Sequence, residues 1–162
     1  LSKLILSSTA AQFRLDETVK IMRKLVGKRA AEVSHQFFSN PSQDAYDTYG
    51  EVCLPLYSNP NAPEANAFRE RAIERPEVAI HFFAGEMASM DMRAEIANIT
   101  CPTLVIGGTL DPVTPTLCSK VIADSIGENA CLHMFEGSGH GPHRDDPDGA
   151  EKVMRHFLAN ST

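Results

Sequence analysis

Residues 101–115 read CPTLVIGGTLDPVTP and hold the clearest structural pattern of the chain. The run 101–108 is apolar and rich in β-branched residues, and it ends in two glycines, which is typical of a buried strand that stops at a turn. Thr114 and Pro115 predict the start of a helix, with Thr114 as the N-cap and proline at the first helical position. The apolar face of that helix consists of Leu117, Val121, Ile122 and Ile126, before a stop at Gly127.

The same alternation continues downstream. Ala130–Phe135 predicts the next strand, and the stretch GSGHGPHR at 137–144 follows it. Asp146 and Pro147 then predict another cap and first-turn proline, ahead of an apolar helix face made of Ala150, Val153, Met154, Phe157 and Leu158. Strand, helix, strand and helix in this order imply parallel strands with right-handed crossovers. The predicted fold class is therefore α/β.

The first part of the chain divides into a strand and a helical insertion. An apolar run at 3–7 predicts an opening strand, and we expect about three strands in the sheet. Residues 16–92 have an almost wholly helical pattern, with Asp16 as the predicted cap of the first helix and Gly27 as its stop. The further predicted helices span 28–38, 42–54, 63–74 and 76–89.

Asp111 and His140 each follow a predicted strand on its carboxyl side, where open parallel sheets gather their ligands and catalytic groups. A helix over 116–126 descends about 16 Å at 1.5 Å per residue. A strand over 130–136 returns about 20 Å at 3.3 Å per residue, one strand spacing away. We therefore expect Asp111 and His140 on one rim, close enough for a carboxylate to bond an imidazole nitrogen.

The pattern I-x-CPTLVIGG-x-x-D-x-x-TP followed by GSGHG is similar to the last two strands of α/β-hydrolases. This resemblance implies a nucleophile–acid–histidine triad with Asp111 as the acid and His140 as the base. It also implies a strand and loop of the hydrolase core at 1–15, a helical cap or lid at 16–92, and the C-terminal core at 93–162. Residues 75–93 and the Gly-His-Gly loop most resemble hydrolases related to proline iminopeptidases.

The sequence contains no G-x-S-x-G motif, and Gly137-Ser138-Gly139 has the wrong spacing for one. We therefore expect the nucleophile upstream of Leu1 and an inactive isolated chain. Its opening strand would then associate with the absent segment or with a second copy. An Asp nucleophile would instead imply an epoxide hydrolase or dehalogenase, and a non-catalytic ligand-binding module of the same fold is a third possibility.

Composition narrows the function classes. A net charge of −6 and no long cluster of Lys and Arg argue against nucleic acid or anionic membrane as a partner, leaving a small molecule or short peptide. No apolar run reaches the roughly 20 residues of a transmembrane helix. The four cysteines lack a C-x-x-C pair, which predicts buried thiols and a cytoplasmic location. No cofactor is expected.

Several other residues have both a functional and an ordinary interpretation. His143 with Asp145 and Asp146 resembles a metal cluster, but Asp146 fits better as a helix cap, so no metal site is expected. His133 lies mid-strand and is expected to be structural. Cap packing is favoured over pocket lining for the group Phe82, Phe83, Met87, Met90 and Met92. Solvated helix charges are favoured over substrate binding for Glu70, Glu74 and Glu77.

Overall fold

The computed structural model describes residues 1–59 and 71–160. Within them lies a parallel sheet of three strands, β1 (Leu4–Ser7), β2 (Thr103–Gly108) and β3 (Ala130–Phe135), in the order β1-β2-β3. Thr103 lies opposite Leu4 on one side and opposite Ala130 on the other. The α/β prediction with about three strands is confirmed.

Helices occupy most of the remaining described chain. Those before β2 are α1 (Leu15–Val26), α2 (Lys28–Ser39), α3 (Gln43–Val52), α4 (Pro76–Ala84), α5 (Glu86–Ser89) and α6 (Arg93–Ile96). Those after β2 are α7 (Thr116–Ile126), α8 (Pro142–Asp145) and α9 (Pro147–Asn160). Short 3-10 turns span Leu54–Leu56 and Gly127–Asn129.

The sheet is covered by helices on both faces. Every residue of β2 is buried, as expected for a central parallel strand. Leu104 and Ile106 point to one face, where they pack in a cluster with Ala150 of α9. Val105 points to the opposite face and packs with two isoleucines of α7, Ile122 and Ile126. Burial of such a side chain stabilises the fold by about 1.5–3 kcal/mol, so the strand after which Asp111 lies is firmly anchored.

The helical region between β1 and β2 has an apolar cluster of its own. Its buried members are Met22, Ala30, Ala31, Phe37, Phe38, Ala45, Tyr49 and Cys53. Phe37 is the hub, with ring centroids 4.9 Å from Tyr49 and 5.1 Å from Phe83 of α4. None of these buried residues belongs to the clusters that pack on the sheet. The proposed boundaries at 15/16 and 92/93 stay a prediction.

Three helix ends differ from the sequence-based expectation. Asp16 is not the cap of α1, because the helix already begins at Leu15 and its N-cap position is Arg14. The carboxylate lies instead in the first turn, where the helix dipole favours negative charge. The predicted helix 76–89 is broken at Gly85 into α4 and α5. Of the predicted helix 63–74, residues 71–74 are non-helical and 63–70 lie outside the described residues.

The predicted stop at Gly27 is confirmed, and Ser42 provides a cap that the sequence analysis did not assign. Gly27 ends α1 with φ of 103°, a conformation that glycine adopts without steric cost. Ser42 caps α3, and its side-chain oxygen accepts a hydrogen bond from the Ala45 N–H at 3.3 Å. The helix expected over 42–54 ends at Val52 and continues as a 3-10 turn.

The prediction of four buried thiols is wrong at Cys131. This residue is exposed because β3 is an end strand whose central residues face solvent, whereas Cys53 and Cys118 are buried. All four thiols are free, and burial raises the pKa of Cys118 to about 11. Across the described ranges, no helix combines the length and apolarity needed to span a membrane.

Candidate functional site

Asp111 lies in the turn that follows β2, and its side chain is completely buried. Its Oδ1 accepts hydrogen bonds from the backbone N–H groups of Val113 (2.8 Å) and Thr114 (2.9 Å). Its Oδ2 accepts one from the Thr114 hydroxyl at 2.7 Å. Such local side-chain-to-backbone bonds are typical of aspartate in turns. They hold the carboxylate in one orientation.

His140 reaches the same carboxylate from the loop after β3. Its Nδ1 lies 2.9 Å from Asp111 Oδ2, so the two predicted residues are brought together as expected. The imidazole is 24% exposed while the Asp111 side chain is 0% exposed. No described residue hydrogen-bonds its other ring nitrogen, Nε2. A buried acid thus orients a ring whose second nitrogen is available to a reacting group.

The two loops are joined beyond the ends of their strands. The Thr109 N–H donates to the Phe135 carbonyl at 3.0 Å, and the Leu110 N–H donates to the Ser138 carbonyl at 2.9 Å. The Thr109 hydroxyl oxygen accepts from the Gly137 N–H at 2.9 Å. A side chain at Gly108 would collide with the backbone of the histidine loop. Glycine at the end of β2 therefore permits this close approach.

The helical region contacts His140 directly through Tyr57. The His140 N–H donates to the Tyr57 carbonyl at 2.6 Å. The Tyr57 ring meets the imidazole edge-on, with centroids 5.1 Å apart and an interplanar angle of 76°. A Cβ at Gly139 would collide with that same Tyr57 carbonyl. Glycine at position 139 therefore permits the close approach of the Tyr57 backbone.

Tyr57 forms a hydrogen bond with Tyr49 of α3, since their hydroxyl oxygens are 2.6 Å apart. Burial raises the pKa of Tyr57 far above its ordinary value. Burial, followed by the neighbouring Tyr57, does the same for Tyr49. Both hydroxyls therefore stay protonated and form a neutral pair. Because Tyr49 belongs to the apolar cluster of the helical region, that cluster helps to fix Tyr57 beside His140.

Thr114 was expected to cap a helix, and that expectation is wrong. Helix α7 begins at Thr116 without a side-chain cap bond, and the Thr114 hydroxyl is taken by Asp111 instead. The same hydroxyl oxygen is 3.3 Å from His140 Nδ1. The predicted cap at Asp146 is confirmed, since its Oδ1 accepts from the Gly149 N–H at 3.0 Å.

Sequence patterns did not single out Tyr57, whose contact with the histidine loop joins residues far apart in the chain. They also did not predict the bond from the Gly139 N–H to Asp145, six positions later. His143 lies on the surface at α8, and partial desolvation of its ring, followed by the Arg144 charge, lowers its pKa. No group of three His, Cys, Asp or Glu side chains suited to a metal ion occurs within 1–59 and 71–160. His133 is exposed on β3, with its ring 4.7 Å from that of Phe135.

An open cavity of about 970 Å³ lies between α3, the 3-10 turn after it, and α4. Its lining includes Glu51, Tyr57, Glu74, Phe82, Phe83 and Arg144. Phe82 and Phe83 thus line a cavity, although packing was the favoured interpretation, and Phe83 also packs on the helical cluster. Glu74 lines it too, whereas Glu70 lies outside the described residues. Because Tyr57 touches both this cavity and His140, the two are adjacent.

Comparisons with known proteins relate this chain to hydrolases. The model of an α/β-hydrolase family described as "TAP-like protein" matches residues 85–162. A pimeloyl-[acyl-carrier protein] methyl ester esterase of Photobacterium profundum is 28% identical over 111 residues, covering 66% of this chain and 43% of the esterase. A proline iminopeptidase of Heyndrickxia coagulans is 30% identical over 74 residues, covering 46% of this chain and 25% of the peptidase.

Among solved structures, an α/β fold family hydrolase from Bacillus anthracis aligns with a TM-score of 0.69 at 17% identity. The alignment covers 97% of this chain and 58% of that hydrolase. At this identity the likeness concerns the fold. The chain therefore matches under half the length of the two curated relatives and just over half of the solved structure.

Proposed function

We propose that this chain is the C-terminal portion of an α/β-hydrolase, and that the whole protein hydrolyses an ester or amide bond with His140 as general base and Asp111 as its orienting acid. The observation that carries the proposal is the 2.9 Å contact between the buried Asp111 carboxylate and His140 Nδ1. An imidazole held in this way presents Nε2 as a proton acceptor, as a hydrolase triad requires.

The nucleophile in this scheme lies outside the given sequence, and we propose a serine. It attacks the substrate carbonyl while Nε2 of His140 takes the hydroxyl proton. The buried Asp111 stabilises the resulting imidazolium, which then gives the proton to the leaving alcohol or amine. In the second half, Nε2 takes a proton from water, hydroxide attacks the acyl group, and the proton returns to the nucleophile.

A small molecule or short peptide is the proposed substrate. The esterase and the iminopeptidase among the relatives support these two bond classes. The cavity beside Tyr57 supports a substrate of modest size, because its lining of aromatic side chains and charged groups of both signs suits a ligand with both apolar and polar parts. A proline iminopeptidase-like activity is the finer form of this proposal.

The test is His140→Ala in the complete protein, assayed with a short-chain p-nitrophenyl ester and a prolyl p-nitroanilide. We expect kcat/KM to fall by on the order of 10⁴-fold, because the nucleophile loses its base. Labelling by a fluorophosphonate probe should fall as well. His156→Ala is the matched control, since His156 is exposed on α9 and hydrogen-bonds Asn160 instead.

Full turnover by the His140→Ala protein would refute the assignment. Turnover of an epoxide or a haloalkane that depends on His140, without any fluorophosphonate labelling, would indicate an Asp nucleophile and thus an epoxide hydrolase or dehalogenase. Absence of both turnover and labelling in the unaltered protein would indicate a non-catalytic module of this fold.

A further inference from the structure

Asp145, the last residue of α8, forms hydrogen bonds that the proposed mechanism does not use. Its Oδ2 accepts from the Gly139 N–H at 2.6 Å and from the Asn59 N–H at 3.0 Å. Gly139 immediately precedes His140 in the histidine loop, and Asn59 follows the 3-10 turn of the helical region. One oxygen atom therefore joins two segments that are distant in sequence.

A third hydrogen bond completes this network beside the histidine. The His140 N–H donates to the Tyr57 carbonyl at 2.6 Å. Segment 57–59 thus bonds His140 at one end and Asp145 at the other, while Asp145 bonds the residue before His140. The N–H groups of two successive peptides, on either side of Gly139, are thus bonded to Asp145 and to the Tyr57 carbonyl.

The two oxygens of this carboxylate have different surroundings. Oδ2 accepts from two backbone N–H groups, whereas Oδ1 is buried and has no hydrogen-bond partner among the described residues. The bonds of Asp145 are therefore directed at the histidine loop and at Asn59. Bonds from N–H donors to an ionised acceptor are shorter and stronger than neutral ones. An aspartate therefore fits the need to hold two backbone segments at a fixed separation.

We propose that Asp145 is a positioning residue for His140, and that its clamp on Gly139 and Asn59 fixes the histidine loop against segment 57–59 so that Nδ1 meets Asp111. This inference rests on the proposed function. In this proposal the helical region helps to position His140, in addition to any role as a lid over the substrate. A misplacement of about 1 Å can cost on the order of 100-fold in rate.

The test compares Asp145→Ala, Asp145→Asn and Asp145→Glu in the complete protein, with kcat and KM measured separately on the ester. We expect Asp145→Ala to lower kcat about 100-fold with KM changed less than about threefold, since base placement rather than substrate binding is lost. Asp145→Asn keeps one oxygen acceptor, so its kcat should be about tenfold higher than that of Asp145→Ala. Asp145→Glu keeps the charge but moves the oxygens by about one C–C bond, 1.5 Å, and should lower kcat at least tenfold.

Asp146→Ala is the control for a purely structural effect. It removes the cap bond to Gly149 and should lower the melting temperature, yet leave kcat within about twofold of the unaltered enzyme. If Asp145→Ala does not fold, Asp145→Glu decides the matter. Wild-type kcat in a folded Asp145→Ala or Asp145→Glu enzyme, together with inactive His140→Ala, would overturn the clamp and leave the proposed function standing. Full activity of His140→Ala would remove the proposed function itself.

Discussion

The loops that carry Asp111 and His140 follow neighbouring strands, yet they are held in different ways. The three donors to Asp111 within its own loop come from residues no more than three positions along the chain. The loop of His140 is held by Asp145, which directly follows it, and by Thr109 and Tyr57, which belong to two distant segments. The acid is thus positioned locally and the base by tertiary structure.

The helical region touches both loops but with different consequences. Thr18 of α1 donates from its hydroxyl to the Val113 carbonyl at 3.2 Å, which leaves the bonds to the Asp111 carboxylate unchanged. Tyr57 contacts the imidazole ring and the His140 backbone. A disturbance of the helical region should therefore affect the base more than the acid.

The largest effect is expected from Asp111→Asn, which tests the acid directly. An asparagine amide would donate to Nδ1, so that the ring proton moves to Nε2 and the base can no longer accept one. We expect kcat/KM on the ester to fall on the order of 10⁴-fold, with the fold retained by circular dichroism. Asp124→Asn, at an exposed position on α7, is the control. A loss below about tenfold would show that Asp111 does not orient the base.

Gly139→Ala should have the next largest effect, because it forces the histidine loop away from the Tyr57 carbonyl. We expect the free energy of unfolding to decrease by about 1–3 kcal/mol and kcat/KM to fall about 100-fold. Chemical denaturation and steady-state kinetics measure the two effects.

Gly127→Ala provides the comparison for Gly139→Ala. Gly127 has φ of 75° and open space around its Cβ position, so an alanine there is strained but displaces nothing near the site. The Gly127→Ala protein should be less stable than the unaltered protein but have the same kcat. Equal activity of the two alanine proteins would show that the contact between Tyr57 and the loop does not position His140.

The difference between the loops also explains what could be predicted from sequence. Asp111 and His140 were placed together because strand and helix lengths alone return the chain to one rim of the sheet. Tyr57 gave no pattern, since its contact with His140 depends on how the helical region sits against the core. Asp145 was considered only as part of a metal cluster, and its bond to Asn59 likewise depends on that packing. Thr114 was misassigned because a threonine before proline suits both a helix cap and a bond to a neighbouring carboxylate, and tertiary structure chose the second.

Thr114→Val should have a smaller effect, since it removes one of the donors to the acid and leaves both backbone donors in place. The side chains are similar in shape, so we expect a loss of about tenfold in kcat/KM, equal to one hydrogen bond of roughly 1.4 kcal/mol. Thr114→Ser keeps the hydroxyl and should restore most of the activity. If serine and valine behave alike, the bond from Thr114 to Asp111 does not contribute to turnover.

Tyr57→Phe should have the smallest effect on turnover, and it separates the contacts that Tyr57 makes. The ring edge and the carbonyl that meet His140 are retained, so kcat should stay within about twofold. The buried Tyr49 hydroxyl, however, loses its partner at 2.6 Å, which should lower the free energy of unfolding by about 1–3 kcal/mol. Tyr46→Phe is the control, since its hydroxyl bonds no described residue while its ring packs edge-on against Phe37. A large drop in kcat for Tyr57→Phe, without one for Tyr46→Phe, would contradict this expectation. It would mean that the hydrogen bond between the Tyr49 and Tyr57 hydroxyls helps to position the His140 imidazole.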